Sequence, residues 1–150
     1  MKHIIIIAIA SLTFSNCGLD NSYFLYRNYE KGEPSTQTIG SPMTQTTFEY
    51  KNNVYGTVLE RRQYELIYSG KSGNVIKILY REFSNDLARP AFSQELQYDL
   101  AESKTIKFRK TTIEVIQASN QEITFRVLDS PNLKYKQGKL TKEQVEDLSK

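Results

Sequence analysis

Side chains that could move a proton near neutral pH, attack a carbon or hold a soft metal are scarce in this chain of 150 residues. There is one histidine, His3, and one cysteine, Cys17. They flank an apolar N-terminal run, so the chain beyond Cys17 has neither imidazole nor thiol. Ser-His-Asp and Cys-His catalysis then lack an essential member. Zinc and copper sites built from His or Cys lack their ligands. No metal and no cofactor is expected. Neither of the glycine-rich phosphate-binding patterns nor an EF-hand loop occurs, and no S-x-x-K stands near a helix start. One enzymatic route stays open, a pair of carboxylates of the glycosidase type acting on cell-wall glycan. Its candidates are Glu65, Glu82, Glu95 and Asp99, all in strand-like runs. Acidic residues on strands are more often solvated or ion-paired, so the reading favoured here is non-enzymatic.

The most individual stretch runs from Tyr80-Arg81-Glu82-Phe83 through Leu87-Ala88-Arg89-Pro90-Ala91-Phe92 to Tyr98-Asp99-Leu100. The residue before a proline is biased towards an extended backbone, which sets Arg89 between a turn and an apolar strand. Its guanidinium has two readings. It can fork onto Asp99 or Glu82 as a staple, or face outward towards a carboxylate or phosphate. The staple is the stronger of the two. Arg81, Glu82, Arg89 and Asp99 are therefore the candidate interaction or structural residues.

These side chains must be positioned by strands. Ten Tyr, seven Phe and no Trp, with many Ile, Val and Thr, suit a pleated and half-buried surface. Tyr64, Leu66 and Tyr68 alternate with Glu65 and Ile67. A Lys71-Ser-Gly-Asn74 turn follows, and then Ile76, Ile78 and Tyr80 alternate in the same way, predicting a hairpin. Phe92, Leu96, Tyr98 and Leu100 share one face, followed by Ile106 and Phe108. Ile113 and Val115, then Ile123, Phe125 and Val127, flank a second turn at Ala118-Ser-Asn-Gln121. Within the basic stretch Lys104 to Lys110, a strand would put Lys107 and Arg109 together on a solvated face. Thr141 and Gln144 form a capping-box pattern ahead of Val145 and Leu148, which predicts a short C-terminal helix. The expected fold is mainly β, an antiparallel β-sandwich or small barrel with that helix at its end.

Residues 1–16 have the order of a secretory signal: Lys2, an uncharged apolar run from Ile4 to Phe14, then Ser15 and Asn16. The apolar run spans about 16 Å as a helix, roughly half the hydrocarbon thickness of a bilayer. It is too short to cross. Residues 17–45 are polar, with prolines and glycines, and read as a tether apart from the cluster Tyr23-Phe24-Leu25-Tyr26. Residues 46–150 then form the β domain. The formal charge of +3 drops to +2 once Lys2 is removed, too small a surplus to draw nucleic acid.

Phe14-Ser15-Asn16-Cys17, followed by Gly18, resembles the lipobox of bacterial lipoproteins, with Phe14 where that family prefers Leu and Asn16 where it prefers Gly or Ala. The resemblance implies lipid attachment to the Cys17 sulfur. The alternative is an ordinary signal cut near Ser15, leaving a free thiol. Gly18 rather than Asp after the cysteine implies the outer membrane, facing the periplasm, over the inner membrane. Residues 63–128, with Glu65-Leu-Ile-Tyr-Ser-Gly70, Tyr80-Arg-Glu-Phe83 and Tyr98-Asp-Leu100, are similar to a pattern of small bacterial lipoproteins that have no assigned activity. That likeness implies an address and a β fold but no site. The expectation is a membrane-anchored lipoprotein of the cell envelope. Its partners would be the bilayer, through Cys17, and an envelope protein or glycan that a non-catalytic domain binds or supports. A small apolar-ligand-binding module is the rival reading.

Overall fold

The computed structural model describes residues 20–88 and 92–148, so Cys17, the leader and Arg89 lie outside the described residues. The described chain forms eleven strands, one 3-10 turn and one helix. They are β1 (Asn21–Arg27), β2 (Pro34–Thr38), β3 (Pro42–Asn52), β4 (Val58–Ser72), β5 (Val75–Ser84), β6 (Leu87–Ala88) and β7 (Gln94–Asp99). After these come β8 (Thr105–Phe108), β9 (Thr111–Ala118), β10 (Glu122–Asp129), a 3-10 turn (Pro131–Lys134), β11 (Gly138–Leu140) and α1 (Lys142–Leu148). They build two antiparallel sheets. The larger runs β11-β1-β3-β4-β5, with β6 and β7 sharing the far edge of β5; the smaller runs β2-β10-β9-β8. This is the sandwich of the two expected architectures, and the described strands close no barrel.

Register explains the alternation. Tyr64 faces Glu82, Leu66 faces Tyr80 and Tyr68 faces Ile78 across β4 and β5, so these side chains share the inner face. They meet Ile106, Ile113, Val115, Ile123, Phe125 and Val127 of the smaller sheet in one buried cluster. Each such aliphatic or aromatic side chain contributes roughly 1.5–3 kcal/mol by leaving water. The two predicted hairpins are β4–β5 and β9–β10. The capping box is also made: the Thr141 N–H donates to Gln144 Oε1 at 2.8 Å, and the Gln144 N–H donates to Thr141 Oγ1 at 3.3 Å. No described helix is long and apolar enough to cross a membrane.

Residues 21–45 differ from the expected tether. Much of this range is strand: β1 pairs along its whole length with β3, and β2 pairs with β10 from Pro34 to Thr38. Leu25 is fully buried, and so is nearly all of Tyr29. The reason the pattern is silent here is physical. β2, Pro-Ser-Thr-Gln-Thr, is an edge strand held by its ladder and by threonine pairing, with Thr36 Oγ1 2.9 Å from Thr124 Oγ1, and it buries no large apolar side chain.

β4 pairs with β3 and β5 in the larger sheet and carries a bulge between Tyr68 and Lys71. There Gly70 sits at φ +101°, and a Cβ on it would lie 2.8 Å from Asn120 Oδ1 in the β9–β10 turn. The positive φ favours glycine here, and a Cβ would also displace the Asn120 side chain. The Tyr68 hydroxyl donates to the Ser119 carbonyl across the same junction.

Candidate functional site

The smaller sheet does not cover the whole inner face of the larger one. Over the uncovered part, α1 and the 3-10 turn stand off from β3, β4 and β5 and leave an open cleft of about 580 Å³. Its floor is aromatic and aliphatic, formed by Phe48, Tyr64, Leu66 and Tyr80, with Phe108 entering from β8. A second hollow of about 420 Å³ continues beneath α1, between Tyr23, Tyr50, Leu140 and Val145. The two share Phe48, Tyr64 and Leu148, so they adjoin across an aromatic floor. Phe48 and Tyr64 meet edge to face at 6.3 Å, and Tyr23 and Tyr50 lie 4.7 Å apart.

One wall of the cleft is polar and buried. The Tyr29 hydroxyl lies 3.2 Å from both Thr46 Oγ1 and Ser130 Oγ, and it donates to Asn132 Oδ1 at 3.1 Å. Asn132 Nδ2 donates in turn to Thr46 Oγ1 at 2.5 Å. Arg27 fixes the 3-10 turn that carries Asn132: its Nη1 donates to the carbonyls of Asn132 and Tyr135 at 3.0 and 2.9 Å. Buried hydroxyls and amides so fully connected hold the wall in one arrangement.

The mouth of the cleft is governed by Arg109. β8 ends at Phe108, so Arg109 is not on a strand face with Lys107, as the sequence led one to expect. It occupies the two-residue turn into β9 at φ +51°. Its guanidinium turns back 4.6 Å above the Tyr80 ring and donates to Glu82 Oε1 at 3.0 Å. The Tyr80 hydroxyl donates to the same carboxylate oxygen at 2.5 Å. Burial, and after it this hydrogen bond, pushes the Tyr80 phenol well above its ordinary pKa, so Tyr80 stays neutral and keeps donating. Lys110 stands next to Arg109 on the rim and makes no ion pair among the described residues. Hairpin turns with a positive φ at their first central position favour glycine, and nothing in the spacing of Phe108-Arg109-Lys110-Thr111 marks Arg109 as part of a site.

The residues singled out by sequence do not converge. Glu82 points to the inner face, whereas Glu65 lies in register with Arg81, and Glu95 and Asp99 with Leu79 and Val75, on the outer face. The sheet separates Glu82 from the other three carboxylates, so no glycosidase-type pair that includes it is formed. The Glu65 segment contributes to the cleft lining, but its carboxylate is on the outer face, where Gln63 Nε2 donates to it at 2.7 Å. Asp99 Oδ1 accepts the Ala101 N–H at 2.8 Å and shapes the turn after β7. Arg81 lies 4.7 Å over the Phe83 ring. Of that set, Glu82 is the one whose carboxylate serves the cleft, by accepting from Arg109 and Tyr80. Among the described residues no three His, Cys, Asp or Glu side chains are grouped to hold a metal. What the arrangement offers is an apolar floor, a fixed hydroxyl and amide wall, and Arg109 and Lys110 at the mouth, with Asp129, Lys134 and Asp147 also in the lining.

No protein-family model, curated protein or solved structure matches this chain.

Proposed function

We propose that the protein is a non-catalytic binding module of the cell envelope, anchored through lipid on Cys17, whose cleft takes a small amphiphile. The single observation that carries this is the open aromatic cleft over the inner face of the larger sheet, of a size usual for small-ligand sites. Its floor suits an apolar body, and the Arg109–Lys110 turn suits an acidic head group. In this reading the envelope component that the domain binds is itself an amphiphile. The lipidated cysteine keeps the module beside the membrane that supplies the ligand, with the periplasmic face of the outer membrane as its address.

Anilinonaphthalene sulfonate, an aromatic body with an anionic head, is the test probe. Saturable one-to-one binding to the native protein, abolished by Thr111→Trp at the cleft rim, is the expected result. Thr111 is only partly buried and lines the cleft beside Arg109 and Lys110, so a tryptophan there occupies the mouth, and an unchanged circular dichroism spectrum verifies that the variant is folded. Identical titrations for both proteins would refute the cleft as the binding site. Intact-mass analysis of the membrane-extracted protein tests the anchor: a bare thiol at Cys17 would refute it.

A further inference from the structure

Among the described residues, the three large hydrophobic side chains most open to solvent are Tyr55 at 81%, Leu87 at 73% and Val54 at 69% exposure. All three lie at one end of the larger sheet, the end at which β1 begins. Val58 and Leu59 stand beside them, partly exposed. The run Val54-Tyr55-Gly56-Thr57-Val58-Leu59 contains no ionisable group apart from the Tyr55 phenol. Exposed apolar side chains gathered like this mark a contact surface.

The loop that carries them is held stiff. Asn52 Oδ1 accepts the N–H groups of Val54 and Tyr55, both at 3.0 Å, and the Asn52 carbonyl accepts the Gly56 N–H at 2.8 Å. It is also bolted to the first described residues. The Asn53 N–H donates to the Asp20 carbonyl at 2.7 Å, Asn53 Nδ2 to Asp20 Oδ1 at 2.8 Å, and Asn52 Nδ2 to Asn21 Oδ1 at 3.0 Å. Three peptide units separate Asp20 from Cys17, and fully extended they reach only about 11 Å. A lipid on Cys17 therefore holds this loop at the bilayer surface.

We infer that the β3–β4 loop is a membrane-seating tip, in which Val54 and Tyr55, backed by Val58 and Leu59, enter the bilayer interface beside the lipidated cysteine. This rests on the anchor reading above. Tyrosine with aliphatic neighbours is the side-chain chemistry of that interface. The nearby cations are already engaged: Arg61 with Glu49 and Asp86, Arg62 with Glu60, and Lys51 with Glu49. The tip is thus apolar in action and independent of anionic lipid.

The chain has no tryptophan, so Tyr55→Trp and, as a control, Ile39→Trp each place a single reporter. Ile39 is half exposed at the opposite end of the sandwich, where its N–H bonds the Gln121 carbonyl. Each full-length variant is extracted from membranes, its Cys17 acylation is verified by intact mass, and it is reconstituted into phosphatidylcholine vesicles. The expected result for Tyr55→Trp is blue-shifted indole emission, quenched by bromines on the acyl chains and unchanged by adding phosphatidylglycerol. The Ile39→Trp control keeps the emission of an aqueous side chain. Aqueous emission from acylated Tyr55→Trp protein overturns the tip and leaves the anchor standing. Shifted emission that brominated lipid does not quench means that protein, such as a second copy, covers the loop, and it overturns the proposal too. A bare thiol at Cys17 overturns both.

Discussion

Arg109 offers the sharpest test, because its backbone and its side chain have opposite consequences for stability. At φ +51° a residue with a Cβ is strained by about 1–2 kcal/mol. Against that cost stand two contacts. The side chain is 57% exposed, so its pairing with Glu82 is worth roughly 0.2–1 kcal/mol. Its position over the Tyr80 ring adds about 0.5–1 kcal/mol. Arg109→Gly removes strain and contacts together, and it loosens the unfolded chain at a cost of roughly 0.4–1 kcal/mol. These nearly cancel, so Arg109→Gly is expected within about 1 kcal/mol of the native protein. Arg109→Ala keeps the strain and loses the contacts, which makes it the less stable variant by about 1 kcal/mol. Urea unfolding followed by circular dichroism resolves that order. Both variants lose affinity for anilinonaphthalene sulfonate, because both remove the guanidinium from the cleft mouth. An alanine variant as stable as the glycine variant would refute the strain argument. Native probe affinity in both would refute the role of Arg109 in binding.

Three further outcomes follow from the same structure. Gly70→Ala brings a Cβ to 2.8 Å from Asn120 Oδ1 at an already positive φ, and it is expected to cost about 2 kcal/mol or more; a melting temperature equal to that of the native protein would contradict the close approach. Tyr29→Phe removes the hydroxyl that links Thr46, Ser130 and Asn132 and should cost about 1–3 kcal/mol, checked by the same denaturation; a neutral substitution would mean the buried wall is not cooperative. Glu49 is pulled upward in pKa by burial, but hydrogen bonds from Lys51 and Arg61 outweigh this and hold it below the ordinary carboxylate range. Its stabilisation is therefore complete above the unfolded value and fades as pH falls through the folded one. Glu49→Gln should be less stable than native protein at neutral pH, with the gap closing in acid, and a gap independent of pH would refute the sign.

Where a strand buries one face, its alternation announced it. Tyr64-Leu66-Tyr68 and Ile76-Ile78-Tyr80 could be placed on one inner face from spacing alone, because a shift by one residue would turn every one of them to solvent. Ile123-Phe125-Val127 followed the same logic, and Thr141 with Gln144 declared the helix through its cap. β2 escaped notice because an edge strand is held by backbone hydrogen bonds, which leave no mark in side-chain polarity. The cleft was illegible for a related reason. Arg109, Glu82, Tyr29 and Asn132 come from four separate parts of the chain, and only the stacking of the two sheets brings them together. The carboxylates chosen by sequence shared a strand character, but parity along the strands put Glu82 on one face and Glu65, Glu95 and Asp99 on the other.

The strand at Asn21–Arg27 bears on the proposed lipid anchor as well as on the fold. A tether from Cys17 to residue 45 would let the domain wander roughly 30 Å from the bilayer. With β1 paired to β3 from Asn21 onward, only three peptide units remain between Cys17 and Asp20. The hollow beneath α1 ends at Tyr23, Tyr50 and Glu60, and Lys51, next to Tyr50, pairs in register with Val58. The hollow beneath α1 and the apolar loop thus lie towards the same end of the larger sheet. A domain seated on that end would present its aromatic floor at the lipid surface, where an amphiphile can pass from the bilayer to the cleft without crossing water. Lengthening the chain between Cys17 and Asp20 with a flexible Gly-Ser insert separates the two. It should leave anilinonaphthalene sulfonate binding in solution unchanged, yet slow the capture of a vesicle-borne amphiphile. Equal capture rates with and without the insert would show that proximity to the membrane has no part in delivery.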